Sequence, residues 1–524
     1  MNRRQFIRRA APLAAAPLLM QGVPLRAYGR SPVLDLLSKA SVTSDRVLVI
    51  IQLNGGNDGL NTVIPLDQYS ALSAARGNVL IPEDRVLKLT SSTGLHPALG
   101  PLRALYDDGK LGIIQGVGYP RPNLSHFRST DIWLTASESN QVLNTGWLGR
   151  FLENEYPGFP AGYPTTDVPH PVAIQIGSVV SPGFHGPDGP TGIAVSNPNS
   201  TYSLPGGFDI PPDSPAGHEL TFIRHVAEQT EVYSSVIREA SSQAQNLSGL
   251  YPASGNRLAD QLKIVARLIA GGLMTRVYIV NLGGFDTHSG QVVSGATETG
   301  NHAVLLTRIA QAVAAFQDDL RLLGVEQKVL GFTFSEFGRR IASNASLGTD
   351  HGTAAPMFFF GANARPGLVG SNPFIPPGAT NRDNLAMQYD FRAVYASVLK
   401  DWFGATSDEL QAVLLQPFET LPVVRYSAIA SASDVVPVDY SLMQNFPNPF
   451  NPWTTIGFDV AVPSTVRLVV YDSLGKEVAV LFEGPMDAGR RYVEFNGRGL
   501  ASGVYYYRLE AGSFAETRRM ILMR

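Results

Sequence analysis

The chain has 524 residues, a formal net charge of −3 and no cysteine. Its length predicts roughly two to four structural units. The content of 44% hydrophobic and 16% charged residues is typical of a globular protein. The charge balance does not predict the basic surface that binds nucleic acid. The absence of cysteine excludes disulfides, thiolate metal ligands and any cysteine nucleophile, including one converted to formylglycine.

The N-terminal stretch, residues 1–30, joins a basic region to an apolar one. Arg3, Arg4 and Phe6 precede a second arginine pair and a run rich in Ala, Leu and Pro. This order resembles a twin-arginine signal peptide, which implies passage through the twin-arginine export machinery into the periplasm. A short amphipathic helix is the alternative. The apolar run is shorter than the ~20 residues that span a bilayer, so we expect no integral membrane segment in the mature protein.

Residues 45–428 alternate apolar runs with amphipathic ones. Strands are predicted for RVLVIIQLNGG, LGIIQGVG, RVYIVNLGGFD, KVLGFTFSEFG and APMFFFGA, and helices for GPLRALYDDG, LADQLKIVARLIAGG and HAVLLTRIAQAVAAFQDDLRLLG. Strands this apolar, separated by helices, predict an α/β fold with a mostly parallel sheet covered by helices on both faces. Residues 156–217 are rich in Pro, Gly, Ser and Asn and predict an irregular insertion over the sheet edge.

Polar turns follow several of the predicted strands. The stretch GGFDTHSG places Asp286 and His288 two residues apart, and NGGND, SEFGRR and TDHGTAAP are the other clusters. Ligands of open α/β sheets bind beyond the carboxyl ends of the strands, where we expect these turns to meet. Asp286 and His288 are either half of a metal site or a polar turn that ends a buried strand. His302 opens a long helix and is expected either to be structural or to support the site from behind its ligands, whereas His96 is a candidate for the edge of the site.

The C-terminal region differs from the rest. After a small-residue linker, 429–440, residues 441–524 contain short alternating apolar runs that predict an Ig-like antiparallel β-sandwich. The motifs NFPNPFNP, VYDSLGKEV and LASGVY and the basic final strand resemble the type A C-terminal sorting domain of the type IX secretion system. The resemblance implies recognition by the type IX secretion translocon and delivery to the cell surface or outside it. An Ig-like carbohydrate-binding module is the alternative.

A second resemblance covers nearly all of residues 45–428. It rests on LNGGNDGLNTVIP, HPAL, NLSHFRSTDIW, GWLGR, GGFDTHSGQ, FTFSEFGRR and TDHGTAAPMFFFG. These segments resemble the bacterial domain-of-unknown-function family fifteen-hundred-and-one, which is grouped with the alkaline phosphatase and sulfatase superfamily. The resemblance implies an alkaline-phosphatase-like fold for this part of the chain.

The metal pattern of that superfamily implies a ligand set. Asp286 and His288 stand at its Asp-and-His position, and His351 matches its final histidine. Two imidazoles and a carboxylate are a common zinc set that leaves a fourth position open, so we expect one divalent ion, zinc, at this site. Ser125, at the start of a predicted helix, stands where the superfamily has its nucleophile, with a helix N-cap as the alternative. His126 beside it is a second catalytic candidate.

The chain also departs from the pattern. Asn54 stands where a metal-bound Asp is expected, with Asp58 four residues on, and Glu336 followed by Phe replaces an Asp-His pair. The second metal site is therefore depleted, and Glu336 with Asp58 implies at most an oxygen-rich site for Mg²⁺ or Ca²⁺. We expect substrate-binding roles for Asn54, Arg128 and Arg339, although an ion pair with a neighbouring acid is the alternative for Arg339.

Two functions compete at this stage. The first is a secreted or cell-surface metal-dependent hydrolase that acts on phosphate or sulfate esters. The second is a non-catalytic cell-surface binding protein that keeps the phosphatase-like fold, which the depleted second site favours. The sorting domain is compatible with both, because it determines destination and not chemistry.

Overall fold

The structure is a computed structural model of the chain, and it describes residues 45–199, 212, 214–425, 439–445 and 448–523 together with two short strands before them. Those strands, Leu19–Met20 and Val23–Pro24, form an antiparallel pair in a first unit, Met1–Asp45. The rest of the predicted signal peptide and most of the predicted linker lie outside the described residues. In the described part of the chain, no helix has the length and apolar character needed to cross a membrane.

The second unit, Arg46–Arg524, contains the predicted α/β part and the predicted sandwich. The strands of the α/β part are β1 (Val47–Asn54), β2 (Val63–Pro65), β3 (Leu87–Lys88), β4 (Thr93–Leu95), β5 (Leu111–Gly118), β6 (Ala173–Ile176), β7 (Ile193–Val195), β8 (Val277–Gly283), β9 (Val329–Phe334), β10 (Arg339–Ser343), β11 (Thr349–His351), β12 (Ala355–Phe360), β13 (Gly367–Val369) and β14 (Tyr389–Asp390). Its helices are α1 (Gly59–Thr62), α2 (Tyr69–Arg76), α3 (Gly100–Asp107), α4 (His126–Thr135), α5 (Trp147–Glu155), α6 (Pro215–Gln243), α7 (Arg257–Ala270), α8 (Asn301–Leu322), α9 (Phe391–Ser397) and α10 (Ser407–Leu414).

A nine-stranded sheet forms the centre of the α/β part. Its order is β13-β5-β12-β9-β1-β8-β6-β7, and β14 also pairs with β5. Only β12 runs antiparallel to its neighbours in this sheet, so the predicted mostly parallel sheet is confirmed. Because β12 is reversed, its first residue lies at the edge where the parallel strands end. Segments that follow the other strands and the segment that precedes β12 therefore meet at one edge.

The central strand shows why the sheet must be covered on both faces. Every residue of β1 from Val47 to Leu53 is buried, without the alternation of a half-exposed strand. The helices carry the matching pattern: α7 begins at the N-cap Asn256, whose side chain accepts a hydrogen bond from the Ala259 N–H. It buries Leu258, Leu262, Val265 and Ile269, which recur at helical spacing.

The predicted irregular insertion, residues 156–217, is only partly irregular. Within it, β6 pairs with β8 and β7 pairs with β6, both in parallel, so the segment adds two strands to the main sheet. The prediction was wrong for these residues because the strands are only four and three residues long. Between neighbouring prolines and glycines, such short runs carry little periodic signal.

The C-terminal region is the predicted antiparallel sandwich. Its strands are β15 (Ser441–Leu442), β16 (Trp453–Val460), β17 (Ser464–Tyr471), β18 (Glu477–Met486), β19 (Gly489–Asn496), β20 (Gly503–Ala511) and β21 (Phe514–Leu522). They form one sheet in the order β15-β16-β19 and another in the order β18-β17-β20-β21. Side chains that alternate along these strands, such as Ile456, Phe458, Leu468 and Tyr507, make one buried cluster.

The burial of β1 makes a stability prediction. Replacing the fully buried Ile51 with Ala should lower the free energy of unfolding by about 2–5 kcal/mol, because the change leaves a cavity in the centre of the sheet. The matched control is Val304→Ala on the exposed face of α8, where a change within about 0.5 kcal/mol is expected. Chemical denaturation measures both variants, and equal effects would contradict the central placement of β1.

Candidate metal centre

Four polar side chains meet at the carboxyl edge of the main sheet. Asp286 follows β8, His126 begins α4 after β5, and His351 ends β11 shortly before the reversed strand β12. His126, Asp286 and His351 each present a ligand atom, and these atoms lie within 4.8 Å of one another. His288, two residues after Asp286, also contacts the Asp286 carboxylate. We call these four side chains the His-Asp cluster.

The carboxylate of Asp286 is the centre of the cluster. Its Oδ1 lies 3.0 Å from the His351 Nε2 and 3.1 Å from the His288 Nε2. Its Oδ2 lies 3.4 Å from the His126 Nε2. The Nε2 atoms of His288 and His351 are only 2.9 Å apart. Three imidazoles therefore turn the same ring nitrogen toward one carboxylate.

The opposite ring nitrogens explain this orientation. The Nδ1 of His126 lies 2.7 Å from Glu336 Oε1, the Nδ1 of His288 lies 2.9 Å from Asp350 Oδ1, and the Nδ1 of His351 lies 2.8 Å from the carbonyl oxygen of Leu124. Carbonyl and carboxylate oxygens only accept hydrogen bonds, so each Nδ1 is assigned as the donor. In the neutral imidazole, each Nε2 then keeps a lone pair that faces the cluster.

Such an arrangement calls for a cation. Two lone pairs 2.9 Å apart, as on His288 and His351, repel unless a proton or a metal ion lies between them. The His126 Nε2 is buried and has no hydrogen-bond partner among the described residues. Buried nitrogens of this kind normally have a partner, and metal-ligating histidines typically donate their other nitrogen to a carboxylate or carbonyl. The donor set therefore fits a divalent ion.

The charges around the cluster agree with this. Three carboxylates, Asp286, Glu336 and Asp350, contact the imidazoles, and the guanidinium of Arg339 contacts only the first of them. Burial raises the pKa of Asp286, but the hydrogen bond from Arg339 and the adjoining His351 imidazole outweigh it and lower that pKa to about 2. The hydrogen bond from His288 lowers the pKa of Asp350 as well. The site thus keeps an excess of negative charge.

Arg339 positions the cluster and is not available to a substrate. Its side chain is fully buried, and its guanidinium donates to the carbonyl oxygens of Gly55, Gly56, Phe285 and Thr349. It also donates to Asp286 Oδ1 over 2.8 Å. Every nitrogen of this guanidinium is thus engaged within the protein. The predicted substrate-binding role is corrected accordingly, and the acid that pairs with Arg339 is Asp286 rather than the neighbouring Glu336.

The other two predicted substrate-binding residues, Arg128 and Asn54, make contacts within the protein. Arg128 pairs with Asp131 and donates to carbonyl oxygens of the loop after α4, those of Glu138, Ser139 and Gln141. Its guanidinium thus holds this loop, and a contact between Arg128 and substrate stays a prediction. Asn54 ends β1, and its carbonyl oxygen accepts a hydrogen bond from the Phe285 N–H over 3.1 Å. A contact between the Asn54 side chain and substrate stays a prediction.

Asp58 and Glu336 do not form the predicted second ion site. Asp58 is buried and accepts hydrogen bonds from both terminal nitrogens of Arg76, at 3.1 and 2.5 Å, and from Gln291 at 2.6 Å. Burial raises the pKa of Asp58, and the positive charge of Arg76 lowers it below its usual value. Glu336 Oε1 instead accepts from the Gly55 N–H and faces His126. Glu336 thus orients an imidazole, and Asp58 neutralises a buried guanidinium.

Ser125 and His126 lie next to each other but differ in environment. Ser125 is exposed, occupies the N-cap position of α4 and makes no side-chain capping hydrogen bond. The Ser125 hydroxyl is therefore accessible to an incoming ester, and its role as a nucleophile stays a prediction. His126 was predicted as a catalytic residue, but the structure brings it into the His-Asp cluster as a fourth ligand candidate.

Two further histidines are buried away from solvent. His302 Nε2 lies 2.9 Å from Asn57 Oδ1, and burial lowers its pKa to about 4. The His96 Nδ1 accepts a hydrogen bond from the Ala98 N–H, and burial lowers the pKa of His96 to about 3. Both are neutral near pH 7 and serve the packing of the core, which agrees with the structural role expected for His302.

Three partners of the cluster were not predicted. The Nδ1 atoms of the imidazoles contact Asp350, the Leu124 carbonyl oxygen and Glu336, and the orienting role of Glu336 was not predicted. Asp350 precedes His351 in TDHG, and side chains next to each other on a strand point to opposite faces. Only the hairpin of β10 and β11 brings Asp350 to His288 from a distance of 62 residues in sequence.

The fold and the site together define an α/β protein with a candidate histidine and aspartate metal centre and a C-terminal β-sandwich. Residues 224–411 match the family described as Protein of unknown function (DUF1501). Residues 444–523 match the family described as Secretion system C-terminal sorting domain, which indicates export to the cell surface or the extracellular space. No curated protein is detectably similar in sequence to this chain.

Solved structures show only distant similarity. A protein in the alkaline phosphatase superfamily from Vibrio parahaemolyticus is 11% identical over 85% of this chain and 82% of its own, with a TM-score of 0.34. BT33494S-sulf, described with glycosaminoglycan metabolism by Bacteroides thetaiotaomicron, is 13% identical over 84% of this chain and 90% of its own, with a TM-score of 0.32. A phosphonate monoester hydrolase from Silicibacter pomeroyi is 11% identical over 91% and 88%, with a TM-score of 0.28.

The buried histidines make a prediction about pH. His302 has a pKa near 6.5 when unfolded and about 4 when folded, so between these values the unfolded chain binds a proton that the folded chain does not. The free energy of unfolding should therefore fall as the pH falls from about 6.5 to 4, by at most about 1.4 kcal/mol per pH unit for this group. Chemical denaturation of His302→Gln across this range should give a shallower slope than the wild type.

The control for this experiment is His170→Gln, which changes a half-buried histidine outside the cluster. It should leave most of the slope in place, since His170 is only half-buried whereas His302 is fully buried. Identical slopes for the wild type and His302→Gln would contradict the burial of a neutral His302.

Proposed function

We propose that this protein is an exported, metal-dependent hydrolase of phosphate or sulfate esters. The observation that carries the proposal is the convergence of three imidazole Nε2 atoms on the Asp286 carboxylate, each imidazole being held from behind by an oxygen acceptor. His126, Asp286, His288 and His351 would hold one divalent ion, and imidazole nitrogens with a carboxylate favour zinc. When bound, the ion would supply Lewis-acid polarisation of an ester oxygen.

Side chains of the protein would supply the nucleophile and would orient the groups that hold the ion. Ser125 is the proposed nucleophile: it is exposed, it makes no capping bond, and it opens the ten-residue helix α4, whose N-terminus favours an anionic group. Its oxygen would form the bond to phosphorus or sulfur as the bond to the alcohol breaks, with the hydroxyl proton passing to the departing alcohol oxygen. Water would then cleave the ester on Ser125, which releases phosphate or sulfate and restores the hydroxyl. Glu336 and Asp350 would keep His126 and His288 in the orientation that leaves Nε2 free. Arg339 would keep Asp286 ionised and in place.

Only one ion is proposed. The carboxylates expected at a second site are engaged elsewhere, Asp58 with Arg76 and Glu336 with His126. Hydrolysis that needs two cations on one phosphoryl group is therefore not the activity we propose. The same observation favours the second candidate function, a surface protein that binds a partner through the ion without turnover.

The proposed route of export has two stages. Twin-arginine export through residues 1–30 would carry the folded protein into the periplasm. The C-terminal sandwich would then direct it through the type IX translocon to the cell surface or the medium. We also propose the domain bounds predicted from the sequence, 45–428 for the α/β part and 441–524 for the sorting domain.

Metal binding is the first test. The purified full chain should contain one zinc ion per molecule by elemental analysis, and His126→Ala, His288→Ala and His351→Ala should each lose it because each removes one imidazole ligand. The matched control is His170→Ala, whose imidazole lies outside the cluster and which should keep the ion. A wild-type protein with no divalent ion, or retention of zinc by His288→Ala, would contradict the site.

Substitution of the carboxylates that orient two of the imidazoles should have a smaller effect on zinc binding. Glu336→Gln and Asp350→Asn should weaken zinc affinity by about 10–100-fold without abolishing binding, because they remove only the carboxylates that orient His126 and His288. Competition with a chromophoric chelator measures the affinity. An unchanged affinity in both variants would show that these carboxylates do not act through the metal ligands.

Ester turnover is the second test. The zinc-loaded protein should hydrolyse aryl phosphate or aryl sulfate monoesters or diesters, and chelation should abolish the activity until zinc is restored. Ser125→Ala should lower turnover by about a thousandfold or more, as expected for loss of a nucleophile. The control Ser70→Ala, at another exposed serine, should have no effect. Zinc binding without turnover of any of these esters would instead support the non-catalytic function.

A further inference from the structure

A cavity of about 960 Å³ opens at the carboxyl edge of the main sheet, and its lining includes Gly283 at the end of β8 but none of the four residues of the His-Asp cluster. Its floor is formed by the ends of β6 and β8, including Leu282 and Gly283, and its wall by the start of α7. Gly283 is three residues before Asp286 in the chain, so their Cα atoms are at most about 11 Å apart. The cavity and the cluster are neighbours on one edge.

Two arginines give the cavity its charge. Arg257 and Arg308 both line it, and neither guanidinium has a hydrogen-bond or ion-pair partner among the described residues. The Asn256 side chain donates to the Arg308 carbonyl oxygen over 2.9 Å, which brings the start of α7 to α8. One acid, Asp260, also lines the cavity, but Lys263 lies 3.7 Å from its carboxylate. The balance of charge in the cavity is therefore positive.

The cavity offers hydrogen bonds in addition to charge. The Asn281 side chain lines it, and its amide has no partner among the described residues. The fourteen-residue helix α7 also begins there, and its N-terminus adds a partial positive charge. None of the described lining residues is aromatic, so the described wall provides no ring for a nucleobase to stack on. Guanidinium and amide groups instead match a ligand that carries an anionic group and hydroxyls.

We propose that this cavity is a second anion subsite, which binds the carboxylate or sulfate of an acidic saccharide while an ester on the same molecule lies at the His-Asp cluster. This proposal rests on the proposed function, since it assigns a substrate class to that site. A substrate with two anionic groups would bridge the two neighbouring parts of the sheet edge. Arg257 and Arg308 would select it over esters that carry a single anionic group.

The experiment compares two probes on the zinc-loaded full chain by titration calorimetry. One probe is a disaccharide with a uronate carboxylate on one sugar and, on the other, a carbon-linked sulfonate that replaces the sulfate ester and cannot be hydrolysed. The second is the same disaccharide with its carboxylate reduced to an alcohol. The wild type should bind the carboxylated probe more tightly by about tenfold or more, because only that probe makes charged hydrogen bonds in the cavity.

Substitutions locate the effect. Arg257→Ala and Arg308→Ala should each weaken binding of the carboxylated probe by about tenfold, and the double variant should bind both probes equally. The control Arg382→Ala removes an exposed arginine that does not line the cavity and should bind like the wild type. Equal affinity of the wild type for both probes, unchanged affinity in the double variant, or binding of neither probe would overturn the proposal.

The two proposals fail in different ways. If no ester is turned over but the carboxylated probe binds through Arg257 and Arg308, the result supports the subsite and contradicts the hydrolase function. If esters are turned over and the double variant binds the carboxylated probe like the wild type, the hydrolase function stands and the subsite falls.

Discussion

The buried guanidinium of Arg339 is the constraint on which the candidate site depends. It donates to carbonyl oxygens in the turn after β1, in the turn after β8 and on β11, and it contacts the Asp286 carboxylate. A buried charge of this kind is stable only when its donors are satisfied, so the turns cannot separate without leaving it unpaired. The position of Asp286, and with it the meeting point of the three imidazoles, follows from this one side chain.

The chemistry of the site follows from how the imidazoles are held. Each ring donates a hydrogen bond from its Nδ1–H to an oxygen acceptor, so the three Nε2 lone pairs and the carboxylate lie close together. Without a cation these groups repel each other, and the Nε2 of His126 stays buried without a partner. With a divalent ion the same geometry becomes favourable, because the ion supplies the charge that all four groups lack. The proposed functions, catalytic or not, rest on that ion.

The sequence predicted the class of fold and much of the site. The long apolar strands predicted a mostly parallel sheet with polar turns at its carboxyl edge, and the resemblance to the superfamily's metal pattern implied that Asp286, His288 and His351 belong to one site. The antiparallel direction of β12 and the existence of the short strands β6 and β7 were not predicted, because hydrophobic periodicity carries no information on strand direction and little on very short strands. The hydrogen-bond partners of Asp58 and Arg339 could not be predicted either, because these partners are distant in sequence and are brought close by tertiary packing.

The most direct measurement of the central claim is X-ray absorption spectroscopy at the zinc edge of the purified full-length protein. We expect a coordination shell of nitrogen and oxygen at about 2.0–2.1 Å, with the multiple-scattering signature of three imidazoles. A spectrum fitted by oxygen ligands alone, or one with a single imidazole, would contradict the convergence of His126, His288 and His351 on one ion.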